Sequence, residues 1–354
     1  MDDDTSSEEQ MPRPALWKAA SKGRAGQVAQ LLADGADIEE PGGEKSVQET
    51  LTTPLGTAAL HGHVQTVLLL LAHGADIFAK NTDGGSPLHD AARSGGLKSS
   101  EREKVVKMLL AQGGQAAASA KNNRGESPLH SAAWGRWGGY TDVAKLLLAQ
   151  GADVSGKASD GWTPLHVTAY KGRQAFVLLL LSHGAGVSAK ANDGRTPLHV
   201  AAREGREEVV KLLLAHGAGV SEKNNKEETP LHVAAYWGRL AVAQLLVDNG
   251  AELSAKDNAG RTPEDVAHSR PRLNVLSNRG PVPTEEGIAA AVARRLAAAA
   301  AEQAAIEVML KAEAVRRAQC EAFAMGLHQR LGAASWVQGL AFEVGVLQMI
   351  LDLV

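Results

Sequence analysis

An all-α solenoid of stacked helix pairs is the fold class this sequence predicts, on three observations. Thr163, Thr196, Thr229 and Thr262 recur every 33 residues. The words that follow are near-copies: TPLHVTAYKGR, TPLHVAAREGR and TPLHVAAYWGR, with SPLHDAARSGG at Ser86 and SPLHSAAWGRW at Ser127. A fixed period of that size is the signature of a repeat architecture. Each copy also holds two short stretches whose apolar residues fall at helical spacing. Neither stretch is long enough to persist alone, because helix nucleation is costly, so every copy must bury its leucines and valines against its neighbours.

The copy from Thr196 to Glu228 shows how. Thr196 caps a helix whose first turn takes Pro197, where a missing N–H costs nothing. Leu198, Ala201 and Ala202 give that helix a small apolar face, and Gly205 ends it by adopting a left-handed conformation. A second helix runs through Val209, Val210, Leu212, Leu213 and Leu214 and is closed by Gly217. The polar SEKNNKEE then reads as an exposed, hairpin-like finger. Burying one leucine contributes roughly 1.5–3 kcal/mol, which offsets the ordering entropy only when repeats share a core.

In chain order, an acidic arm (1–13) is expected to be disordered, and copies fall at about 14–40, 53–84, 86–126, 127–161, 163–195, 196–228 and 229–261. The first begins ALWKAASKGR, with Trp17 and Lys18 where others carry His and an apolar residue, as expected of an outer cap that meets water. The last word, RTPEDVAHSRP, puts Glu264 and Asp265 in place of Leu-His, and Pro271 cuts short its second helix, which makes a C-terminal half-repeat cap. Extra residues at 43–49, 95–104 and 134–140 read as enlarged loops, either neutral or used in recognition.

The repeat domain spans 14–283, and 284–354 form a helical tail. Its alanine-rich part, to about Arg330, favours one long helix. Ile288, Val292, Leu296, Ile306 and Leu310 make a thin stripe, so coiled-coil pairing is left open. The last stretch, SWVQGLAFEVGVLQMILDLV, reads as an amphipathic helix that docks on the repeats, on a second copy of the chain in self-association, or on a partner. Glu343, Asp352 and the interrupting Gln338, Gly339, Gly345 and Gln348 argue against a membrane span.

The TPLHVAA word, the Gly-Arg pair, the VVKLLL run and HGAG resemble the ankyrin-repeat family, and the resemblance covers about three quarters of the chain. It implies about seven repeats plus the half-repeat, each a helix-turn-helix with a finger at its side. It also implies an array that curves with first helices and fingers on its concave side, and a non-enzymatic scaffold that binds a protein or peptide target there. An adaptor or inhibitor that recruits its target to a ligase or kinase complex through the tail is the alternative.

In that family the residues just after the paired alanines face the groove. Here they are Arg93, Trp134, Tyr170 and Lys171, Arg203, and Tyr236 and Trp237, with Trp162 beside them on a finger. Aromatic and Arg side chains carry much of the energy at interfaces. The competing reading is that these rings merely cover the stack. On the other side, Lys107, Lys145, Lys211 and Gln244 take an exposed place in the second helices, where two other copies carry Leu68 and Leu178. Those leucines are either incidental or the place where the tail folds back.

His89, His130, His166, His199 and His232 recur once per copy. Residues one period apart lie in separate layers, whereas a zinc site needs ligands converging within about 2 Å of one point, so hydrogen-bonding roles are expected and no metal. His73, His183 and His216 receive the same reading. No phosphate-binding loop, nucleophile elbow or His-Glu-x-x-His helix is present, and Cys320 stands two helical turns from His328, so no catalysis and no cofactor are expected. With 37 Lys+Arg against 40 Asp+Glu the net charge of −3 offers no footprint for nucleic acid. The lone Cys320 and the acidic start point to a reducing compartment, the cytoplasm, with the nucleus as the alternative.

Overall fold

The computed structural model describes residues 14–43, 50–93, 99–135 and 140–268. The expectations placed on the arm, on Pro271, on the linker and tail, and on parts of the three extra segments lie outside the described residues. Seven helix pairs and a single final helix follow one another: α1 (Ala15–Ser21) with α2 (Ala25–Ala33), α3 (Pro54–Leu60) with α4 (Val64–Ala72), and α5 (Pro87–Arg93) with α6 (Ser99–Ser119). Next come α7 (Pro128–Trp134) with α8 (Tyr140–Ala149), α9 (Pro164–Lys171) with α10 (Gln174–Ser182), and α11 (Pro197–Glu204) with α12 (Glu207–Ala215). Then α13 (Pro230–Tyr236) pairs with α14 (Leu240–Asp248), and α15 (Pro263–His268) stands last.

First helices touch first helices and second helices touch second helices along the series, so the array has two layers. The core runs between them. Leu55, Leu88, Leu129, Leu165, Leu198 and Leu231 are all buried, with Val67, Val106, Val177 and Val210 behind them. Among the described residues the strand content is one isolated bridge, Gly42 with Thr52.

Each of the repeated polar letters joins one layer to the next. His130 Nε2 donates to Trp162 O, His166 Nε2 to Arg195 O, His199 Nε2 to Glu228 O and His232 Nε2 to Arg261 O, all at 3.0 Å. A carbonyl only accepts, so the proton sits on Nε2, and Nδ1 accepts the backbone N–H of the capping residue, as at Thr196 (3.2 Å). Both ring nitrogens are therefore used within the stack. His73, His183 and His216 do a simpler job: each Nδ1 donates to the carbonyl four residues earlier at the end of a second helix.

The Gly-Arg pair has a similar origin. Arg206 Nε donates to Tyr170 O (3.2 Å) and Arg239 Nε to Arg203 O (2.9 Å), which lays each arginine across the end of the preceding first helix. That end is Gly172, at φ 76°, where a Cβ would come within 2.7 Å of Arg206 Cδ. Glycine is needed there twice over, for the left-handed backbone and for the close approach. Fingers are stitched as well: Lys121, Lys157, Lys190 and Lys223 each donate from Nζ to the carbonyl of the equivalent lysine in the next repeat.

Two expectations are corrected. Trp17 does not meet water: it is 3% exposed, its ring closed over by Gly42, where a Cβ would lie 2.6 Å from Trp17 Cγ. Lys18 alone gives this repeat its exposed position. Residues 99–104 are not loop: α6 begins at Ser99 and buries Arg102 (1% exposed), so the insertion lengthens a helix in part.

Leu68 and Leu178 are 54% and 43% exposed, at the place where Lys107, Lys145 and Lys211 also face outward and Gln244 is half-buried. Leu178→Lys is expected to leave the thermal midpoint nearly unchanged, within about 0.5 kcal/mol, since it breaks no contact of the core. A drop of several degrees in a melting curve would show that something covers this leucine.

Candidate partner-binding face

The ends of the first helices and the fingers beside them share one edge of each layer, and the expected groove residues gather there in two clusters. Trp134 closes α7, and Trp162 stands on the finger that leads into α9. Their rings are stacked, with centroids 6.2 Å apart and 10° between planes. Tyr170, near the end of α9, meets Trp134 edge-on at 5.8 Å and Trp162 at 6.0 Å. Such offset and edge contacts suit the ring quadrupoles. Lys171 places its ammonium 5.0 Å from the Trp134 ring centroid and 5.5 Å from that of Tyr170. Trp134 Nε1 donates to Glu126 Oε1 (2.9 Å), which fixes the indole, and Asn122 holds the other carboxylate oxygen at 2.9 Å.

Two repeats on, Tyr236 and Trp237 meet edge-on at 5.5 Å, and the Arg203 guanidinium lies 4.9 Å from the Trp237 centroid. Tyr236 is 40% exposed. Trp134 and Trp162 are half-buried and packed against the core. The two readings of these rings thus describe the same side chains from opposite sides: one face of each indole completes the stack and the other is open.

Arg93 belongs to neither cluster. Its guanidinium stands 3.7 Å from Asp90, a residue the repeat pattern does not anticipate. Asp90 lies within α5 where other copies carry Val167, Val200 or Val233, and it is 3% exposed. Asn81 Nδ2 donates to both of its oxygens (3.2 and 3.3 Å) and Thr52 Oγ1 donates to Oδ2 (3.3 Å). Against it stands Gly56, at the place where the other copies have their histidine; a Cβ there would lie 2.2 Å from Thr52 Oγ1 and 3.0 Å from Asp90 Oδ2. The second repeat therefore lacks the imidazole tether and is joined to the third through Thr52, Asn81 and Asp90 instead. Burial pushes the Asp90 carboxyl up to about 7, with Arg93 pulling the other way.

Both departures were visible in the words TPLGTAA and SPLHDAA, and their pairing was missed because the two residues belong to different copies. Between α5, α7 and the fingers before each lies a cleft of about 160 Å³, bordered by Asp83, Asp90, Arg93, Arg124, Glu126 and Trp134 among others.

The comparisons with known proteins bear on the whole face. The model of ankyrin repeats (3 copies) matches overlapping spans from residue 16 to residue 257. Protein phosphatase 1 regulatory subunit 12A from mouse, and the same subunit from rat, are each 56% identical over 36 residues, which is 10% of this chain and 4% of theirs. The chain thus spans a small fraction of the length of these curated relatives. The family model covers well over half of the chain, with the helix pairs, tethers and fingers in the layers it requires: the chain belongs to the ankyrin-repeat family.

Proposed function

We propose that this chain is a non-enzymatic interaction scaffold that grips a protein or peptide target along the groove of first helices and fingers. One observation carries the reading: aromatic rings with cations against them, Trp134, Trp162 and Tyr170 with Lys171, then Tyr236 and Trp237 with Arg203, recur along the single edge that the core leaves open. Rings that are rigid, partly exposed and already oriented lose little entropy on binding, and such residues dominate interface energies. The side chains that could titrate or act as nucleophiles in the layers, the histidines above all, are committed to tethers. A cytoplasmic setting is part of this proposal, resting on the single cysteine. Among the described residues no helix is long and apolar enough to cross a membrane.

Affinity capture with the chain and with a Trp134→Ala/Tyr236→Ala variant, side by side, tests the proposal. A captured protein is expected to lose about 2 kcal/mol or more, roughly thirtyfold in Kd, while circular dichroism shows the variant folded. Equal affinity for the two baits would overturn it.

A second reading is an adaptor or inhibitor subunit that delivers the bound target to an enzyme complex through residues 284–354. The short likeness to a phosphatase regulatory subunit favours it. Pull-down with that tail alone, followed by assay for an associated enzyme, separates the two.

A further inference from the structure

The cleft between the third and fourth repeats has an interior that calls for a cation. Its donors are spent: Asn81 Nδ2 is used by Asp90, and Asn122 Nδ2 and Trp134 Nε1 by Glu126. Its acceptors are not. A carboxylate has about four acceptor sites, and Glu126 has one side-chain donor on each oxygen. Asp90, at the buried end, has a charge that burial penalises, and the cation nearest to it does not reach hydrogen-bonding distance. That cation is Arg93, 44% exposed by its side chain and 3.7 Å from Asp90 Oδ1. An anion entering here would face Asp90, Glu126 and Asp83. An apolar group would desolvate Asp90 further, at a cost of several kcal/mol if it stayed charged. A planar, donor-only guanidinium can bond both carboxylates and lie along the Trp134 ring.

We propose that this cleft receives an arginine side chain of the partner, and that Arg93 is its resident stand-in, displaced toward solvent when the partner's arginine enters. This deepens the groove reading and rests on it, but it gives Arg93 the opposite sign. A residue that grips the target is missed when removed; a stand-in competes with the guest, so its removal tightens binding.

The pH dependence follows from the groups that face Asp90. Arg93 and His89 lie on its own helix, Asp83 on the finger before it and Glu126 across the cleft, while α3 brings only Gly56 and, just before it, Thr52. His89 is held neutral down to about 4 by burial, so between pH 6 and 8 the group that changes charge is Asp90, whose carboxyl is pushed up to about 7. A guest guanidinium needs the ionised form. Its affinity rises with pH across that range.

The test uses the full chain labelled with ¹⁵N-tryptophan, whose six indoles give separate signals, titrated with acetyl-Gly-Arg-Gly-amide and with the glutamate analogue. The Trp134 indole is expected to shift with the arginine peptide and not with the glutamate peptide. Arg93→Ala should lower the half-saturating concentration at least threefold, and Asp90→Asn should raise it at least fivefold, with the wild type weakening several-fold from pH 8 to pH 6. No shift by the arginine peptide in Arg93→Ala, whose exposed side chain ends a helix and is not needed for folding, overturns the proposal. So does an equal shift by the glutamate peptide, or weaker binding in Arg93→Ala. The groove reading is judged separately, by Trp134→Ala/Tyr236→Ala on the captured protein, so either can fail while the other stands.

Discussion

Taking the protein from pH 7 to pH 4 is expected to remove on the order of 10 kcal/mol of stability, because its repeats are joined by neutral imidazoles. His89, His166 and His199 have their pKa lowered from 6.5 to about 4, by burial first, with the carbonyl each one donates to opposing the shift. His130 and His232 are shifted in the same direction. In the unfolded chain these groups take up a proton near 6.5, whereas the folded repeats keep them neutral until about 4. Their contribution is therefore complete above 6.5 and is lost as pH falls through that window. A shift of 2.5 units is worth about 3 kcal/mol for each of the three.

Asp90 runs the other way. Its raised pKa means that the folded state holds a proton the unfolded chain has released, so its contribution is complete below about 4 and is lost as pH rises through 7, a change of about 4 kcal/mol. Between 7 and 4 it offsets part of the histidine loss without cancelling it. Urea midpoints taken at half-unit steps would read the slope. His199→Gln, which keeps a side-chain donor and cannot charge, should flatten it by about one histidine's share. A flat profile between pH 6.5 and 4 would mean that the imidazoles are solvated and do not act as ties.

Much of this was legible in the amino-acid order, for a physical reason. In a solenoid each residue meets only its own repeat and the next, so a letter that recurs at period 33 has nearly the same surroundings each time, and its role can be argued once. Thr196, Pro197, His199 and Gly205 are of this kind, and the structure gives them the cap, the first turn, the tether and the left-handed end expected of them. The gathering of Trp134, Trp162 and Tyr170 was legible in the same way, since their place in the repeat fixes their edge of the layer.

What was hidden lies where the period breaks. Trp17 stands at a histidine's place and was expected to face water, yet the chain returns over it through Gly42 and buries it. Residues 99–104 look like a loop insertion by count, and helix α6 absorbs part of them with Arg102 on its buried side. Gly56 and Asp90 are unremarkable as separate departures. Their meaning is a contact between two copies, which a repeat-by-repeat reading does not compare.

That contact makes an unusual substitution informative. Gly56→His restores the family word TPLH in the second repeat and should nonetheless destabilise the protein by about 3 kcal/mol, the effect of forcing a side chain into an occupied, well-packed site. Even a Cβ at this position meets Thr52 Oγ1 at 2.2 Å, and the imidazole would lie against the Asp90 carboxyl. Asp90→Val alone removes the buried carboxyl but strands Asn81 Nδ2 and opens a gap beside Gly56, at a cost of about 1–3 kcal/mol. Together the two changes rebuild the arrangement of the later repeats, where Val200 packs and His166 reaches Arg195 O; the equivalent carbonyl here is that of Gly85, which already accepts from Asn81 N as Arg195 O accepts from Ala191 N. The pair should be less destabilising than the separate losses added together, by about 2 kcal/mol or more, which a double-mutant cycle on denaturation midpoints measures directly. Strict additivity would show that Gly56 and Asp90 are independent losses, and that something other than the Thr52, Asn81 and Asp90 link holds the second repeat to the third.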